Sequence, residues 1–148
     1  MTEDADVVLL GMGTLSMPVK VAVRKMRAQG KKVGFVRLRW FRPFPGEELA
    51  QCLSRFKAVG VIDRDYSLGS PYLSGVVATE VRTALYPGSG PKPPVLGFIC
   101  GLGGREVYEA DIEKMTAACF VAAEGKPQPL TMVRGAGVIP APERMSEK

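Results

Sequence analysis

Short apolar runs alternate with segments of helical period, and this alternation constrains the chain more than any other feature. The first run is Val7-Val8-Leu9-Leu10, and the second spans Lys32 to Arg39 with Val33, Phe35, Val36 and Leu38. Ala58 to Asp63 and Val95 to Cys100 are the third and fourth. Runs this short, with little polar alternation, suit strands buried on both faces. Helices are expected from Pro18 to the stop at Gly30, from Gly46 to Phe56, from Pro71 to Leu85 and from Ala110 to Ala123. In the first, Val19, Val23 and Met26 recur on one face while Lys20, Arg24 and Arg27 take the other. In the last, Ile112, Met115, Cys119 and Ala122 point inward. Strands alternating with helices predict a three-layer α/β/α fold around a mostly parallel sheet. The 148 residues suit one domain, placed at 1–125, with 126–148 read as an extended C-terminal tail. In such sheets ligands and partners meet the loops at the carboxyl ends of the strands. Here those loops are 11–16, 40–45, 64–70 and 101–108.

Composition narrows the function classes. Apolar residues make up 46% and charged residues 24%, as in globular proteins. No apolar stretch approaches the ~20 residues that cross a membrane. The start, Met-Thr-Glu-Asp-Ala-Asp, lacks the basic and apolar character of a secretory signal, so a cytoplasmic location and no membrane partner are expected. The chain has no His, and its three cysteines, Cys52, Cys100 and Cys119, are far apart. This argues against a zinc or iron–sulfur site in the chain and removes the commonest general base. The cysteines read as small core residues. The net charge of +5 includes Lys20, Arg24, Lys25, Arg27, Lys31, Lys32, Arg37, Arg39 and Arg42. A nucleic-acid patch is one reading. A solvated helix face with partner contacts is preferred, because few aromatics interleave with the charges.

Three loops invite chemical readings. Gly11-Met12-Gly13 follows the first strand, as in dinucleotide-binding turns, but Ser16 stands where the third glycine would be. The second strand ends in Arg39-Trp40, without the acidic residue that holds a ribose, though Arg37 or Arg39 could suit a 2′-phosphate. A small stand-alone NAD(P)-binding protein is therefore the alternative reading. Asp63-Arg64-Asp65 offers paired carboxylates, but the intervening Arg64 favours a salt-bridged structural loop. Gly101-Leu102-Gly103-Gly104-Arg105-Glu106 could form an anion nest, or a glycine-lined turn that fits against a partner.

Taken together, Val36-Arg37-Leu38-Arg39-Trp40-Phe41-Arg42-Pro43-Phe44-Pro45, Val61-Ile62-Asp63-Arg64-Asp65 and Gly101-Leu102-Gly103-Gly104-Arg105 resemble domain II of pyruvate:ferredoxin oxidoreductase and related 2-oxoacid:acceptor oxidoreductases, the C-terminal part of the alpha subunit in multi-subunit members. The resemblance covers roughly residues 5–122. It implies a domain similar to the C-terminal domain of transketolase. It also implies membership of an enzyme that decarboxylates a 2-oxoacid on thiamine diphosphate and yields acyl-CoA. Thiamine diphosphate, Mg and iron–sulfur clusters are then expected on partner domains or subunits, with no cofactor, metal or catalytic residue in this chain. The chain would be a non-catalytic assembly domain, inactive when isolated. Its expected contact surface is Arg42, Phe44, Asp63, Arg64, Asp65, Gly103, Gly104 and Arg105. Partners would be the thiamine-binding and iron–sulfur chains, with a homo-oligomer possible in addition and no nucleic acid. The thiamine-binding domain is outside this sequence, so a fragment or a separately encoded subunit is expected. The sequence departs from its relatives at Tyr108, where Thr or Ser commonly caps the last helix, so Asp111 or a backbone group is expected to serve.

Overall fold

The computed structural model describes residues 1–87, 90–126, 128–129 and 131–133. Its elements, in chain order, are β1 (Val7–Met12), α1 (Ser16–Ala28), β2 (Val33–Leu38), α2 (Gly46–Leu53), β3 (Ala58–Asp63), α3 (Val76–Leu85), β4 (Val95–Ile99), α4 (Glu109–Ala123) and β5 (Thr131–Val133). The strands form one five-stranded sheet in the order β2-β1-β3-β4-β5. Every pairing is parallel, with Val7 opposite both Val33 and Ala58.

The unbroken apolar runs are explained by two cores, one on each face of the sheet. Val7 and Leu9 of β1 join one core with α1 and α4, while Val8 and Leu10 join the other with α2 and α3. In β3, Ala58 and Ile62 face the first core, and Val59 and Val61 face the second. Side chains alternate across a strand, so a strand covered on both faces has no polar position to spare. The layers are thus helix, sheet, helix, as the sequence implies. Val19, Val23 and Met26 of α1 and Ile112, Met115, Cys119 and Ala122 of α4 are all buried.

Several boundaries differ from the sequence reading. α1 begins at Ser16 after a tight 3-10 turn over Gly13–Leu15. Pro18 is therefore the third residue of the helix rather than its first, and its missing N–H still falls within the first turn, where no helical acceptor exists. α2 stops at Leu53, yet Phe56 beyond it remains buried in the core that the pattern assigned to it. α3 begins at Val76; Pro71–Leu73 form a separate 3-10 turn, because Tyr72 and Leu73 take positive φ and break the helix. Part of the tail read as extended is recruited to the sheet: Thr131, Met132 and Val133 pair with Gly97, Phe98 and Ile99 as β5. Residues 88–89 of the loop after α3 and 134–148 of the tail lie outside the described residues.

One close approach fixes the distance between α4 and the sheet. A Cβ at Gly60, in the middle of β3, would stand 2.7 Å from Cys119 Sγ, 2.8 Å from Leu9 Cδ2 and 2.9 Å from Phe98 Cε2. Only a residue without a side chain fits there at native packing density.

Candidate functional site

Because all strands run the same way, the loops after β1, β2, β3 and β4 gather at one end of the sheet. The strand order turns at β1, which has β2 on one side and β3 on the other. Crevices of open α/β sheets open at such a reversal. Arg64, just past β3, spans it. Its guanidinium donates to Thr14 Oγ1 at 3.0 Å in the loop after β1 and to the Gly101 carbonyl at 3.4 Å after β4. A cleft of about 290 Å³ opens beside it, lined by Thr14, Leu15, Pro18, Arg64 and residues 104–108.

The glycine-rich run folds as it does for a conformational reason. Gly101, Gly103 and Gly104 have φ of 71°, 63° and 79°, in the left-handed region that glycine enters without steric cost. A side chain at Gly101 would also meet Arg64 Nε at 2.9 Å. The run therefore turns tightly and leaves Leu102, Gly103, Gly104 and Arg105 exposed. α4 follows with Tyr108 at its N-cap, extended at φ −90° and ψ 159°. Asp111 Oδ2 accepts the Tyr108 N–H at 3.1 Å. Asp111 thus serves the helix start, as expected from the residue at 108.

Asp63 and Asp65 do a different job from the one the sequence suggested. Neither forms an ion pair with Arg64 among the described residues. Asp65 Oδ2 accepts the Val76 N–H at 3.0 Å, and Asp63 accepts those of Val77 at 3.1 Å and Ala78 at 3.0 Å. Gly75, the N-cap of α3, offers no side chain, so two carboxylates from across the loop satisfy the orphan donors of the first turn. Asp63 is only 2% exposed and does not lie on an outer contact surface. Burial pushes its carboxyl up to about 6, with the neighbouring Asp65 charge adding to the rise and the two helix N–H groups opposing it.

The remaining expected contact residues lie apart from the cleft. Arg42 pairs with Glu80 of α3 at 2.5 Å and stacks over Phe41 at 4.1 Å. Phe44 is half-buried and meets Phe41 edge-on, with ring centroids 6.1 Å apart, against the core of α2 and α3. The structure therefore divides the eight residues. Arg64, Gly104 and Arg105 line one cleft, with Gly103 beside them in the chain, while Asp63 and Asp65 hold α3, and Arg42 and Phe44 brace the loop after β2. Sequence reasoning missed a set of exposed apolar side chains on the same loops: Trp40, Leu68, Tyr72, Leu102 and Tyr108 are 74%, 85%, 65%, 37% and 59% exposed. Their positions in loops after apolar strands were the available signal.

The described residues do not gather the ligands of a metal or cluster site. Among the described residues no three His, Cys, Asp or Glu side chains come together. Burial pushes the Cys100 thiol up to about 11 and that of Cys119 to about 12, far from the thiolate state that ligation requires. Among the described residues no helix is long and apolar enough to cross a membrane.

A family model described as pyruvate:ferredoxin oxidoreductase core domain II matches residues 5–112. The ketoisovalerate oxidoreductase subunit VorA of Pyrococcus abyssi is 44% identical over 111 residues, covering 75% of this chain and 27% of that protein. The pyruvate synthase subunit PorA of Methanosarcina barkeri is 37% identical over 115 residues, covering 78% of this chain and 28% of that one. Among solved structures, a chain described as a split gene transketolase, inactive beta4 tetramer, superposes with a TM-score of 0.60 at 15% identity. The superposition covers 81% of this chain and 40% of the other.

Proposed function

This chain belongs to the pyruvate:ferredoxin oxidoreductase core domain II family, and we propose that it is the non-catalytic assembly domain of a thiamine-diphosphate-dependent 2-oxoacid:ferredoxin oxidoreductase. In the whole complex a 2-oxoacid is oxidatively decarboxylated to acyl-CoA. Thiamine diphosphate, Mg and the iron–sulfur clusters reside on companion domains or subunits. The chain spans 27% and 28% of the length of the VorA and PorA subunits it matches, so most of such a subunit lies beyond its sequence.

One observation carries the reading. The loops at the carboxyl end of the sheet carry exposed Trp40, Leu68, Leu102 and Tyr108, and Tyr108 lines a cleft beside Arg64, which ties two of those loops together. Aromatic and apolar groups beside arginine are the composition of interface cores, and truncation of such residues dominates binding losses. The occupant of this surface is the remainder of the same enzyme, the thiamine-binding part in particular.

Purification of the full chain from its native source tests this. A thiamine-binding companion identified by mass and by thiamine diphosphate content is expected to co-elute with it. Leu102→Asp and Tyr108→Ala should each weaken that association by at least ten-fold, with an unchanged melting temperature. A chain that sediments as a free monomer, or a complex indifferent to both substitutions, would remove the proposal.

A further inference from the structure

A second concavity lies between α1 and the edge strand β2. It is about 280 Å³ in volume and is lined by Ser16, Met17 and Lys20 of α1, by Phe35, Arg37 and Arg39 in and just beyond β2, and by Met1. Helical spacing of i and i+4 stacks Ser16 above Lys20, and strand spacing of i, i+2 and i+4 sets Phe35, Arg37 and Arg39 on one face. Three cations thus converge from two elements. Among the described residues none of them forms an ion pair, whereas Lys25, Arg27, Arg42 and Lys57 all do.

Ser16 lines the concavity as a buried residue. It is 3% exposed, and its hydroxyl makes no hydrogen bond among the described residues. Thr79, Thr83 and Thr116 show the ordinary alternative, each donating to the carbonyl four residues earlier. A buried hydroxyl without a partner is costly, and its one rotatable bond lets it turn to a ligand. The first turn of α1 contains no acidic residue, so its positive end is not offset from within. Charges on an edge strand commonly guard against unwanted pairing. That role explains Arg37 and Arg39 singly, but not a buried hydroxyl and a helical lysine meeting them around a cavity.

We propose that this concavity binds the phosphoryl group of a small molecule. Arg37, Arg39 and Lys20 neutralise the anion, and Ser16 Oγ–H donates to one of its oxygens. The helix N-terminus adds its partial positive charge. Met17 and Phe35 form the apolar wall against which an organic remainder would lie. The volume is close to the lower limit of small-molecule sites, roughly 300 Å³, which fits a compact phosphorylated compound. The site borders the docking surface proposed for the carboxyl end of the sheet, since Arg39 precedes Trp40, but its test reads ligand binding by this chain and does not rest on that docking.

Calorimetric titration of the full chain with pyrophosphate, at constant ionic strength in chloride, tests the assignment. Saturable one-to-one binding is expected. Lys20→Gln and Arg39→Gln should each weaken it by about ten-fold, the loss of one charge-assisted bond. Ser16→Ala should weaken it several-fold while leaving the melting temperature unchanged or raised. A Lys31→Gln, Lys32→Gln double variant, with its charges outside the cavity, should bind as the wild type does. Absence of saturation, equal loss in that control, or a lowered melting temperature in Ser16→Ala would overturn the assignment.

Discussion

A methyl group at Gly75 would overlap a carboxylate oxygen of Asp63. The Gly75 φ of −73° is open to any residue, so volume rather than backbone conformation excludes a side chain there. Gly75→Ala is expected to cost roughly 1–3 kcal/mol through overpacking, read as a lower urea midpoint. Because the clash is with Asp63 itself, the cost should shrink in an Asp63→Ala background, a non-additivity that a double-mutant cycle measures.

The same carboxyl predicts a pH dependence. Its folded value of about 6 lies above the ordinary 3.8, so the folded state holds a proton that the unfolded chain has already released. The resulting stability is fully present below pH 4 and is lost as pH rises through about 6. Arg82 and Asp65 are the charged groups that act on Asp63 from α3 and from its own loop. Subtracting the stability of Asp63→Asn from that of the wild type should give a difference that falls by on the order of 2–3 kcal/mol between pH 4 and pH 7. A flat difference would show that the two helix N–H groups outweigh burial.

At Gly60 three neighbours crowd a missing side chain. Gly60→Ala should destabilise by roughly 1–3 kcal/mol, seen in thermal and urea unfolding alike. Adding Cys119→Ala removes the nearest of the three atoms and should recover part of that loss.

The buried thiols should resist alkylation. A thiol with a pKa of about 11, like that of Cys100, is only about one part in a thousand thiolate at pH 8. Mass spectrometry after iodoacetamide treatment at pH 8 should find Cys100 and Cys119 unmodified in the native protein and modified in urea.

Much of the fold is readable from residues alone because a doubly covered sheet leaves a strong imprint. Val7 through Leu10 can be apolar without interruption only if neighbouring positions face different cores. Thr131 to Val133 left no such imprint: three residues among prolines are too few for periodicity, and their strand exists through the β4 edge they join. The 3-10 turn at Pro71 misled because proline also opens α-helices. For the candidate site, order along the chain revealed which loops would gather but not which way each side chain turns. Asp63 looked exposed beside Arg64 and Asp65, and only the path of the chain back to Val77 reveals it as a buried helix cap. Ser16 and Arg39 are far apart in sequence, and only the lie of α1 along the edge strand brings them together.

Arg64 reaches Thr14 on one side and Gly101 on the other with a single side chain. The rim of the cleft therefore cannot be retuned one loop at a time. Lifting either contact loosens a shared rivet, so this edge behaves as one prefabricated die rather than as separate fingers.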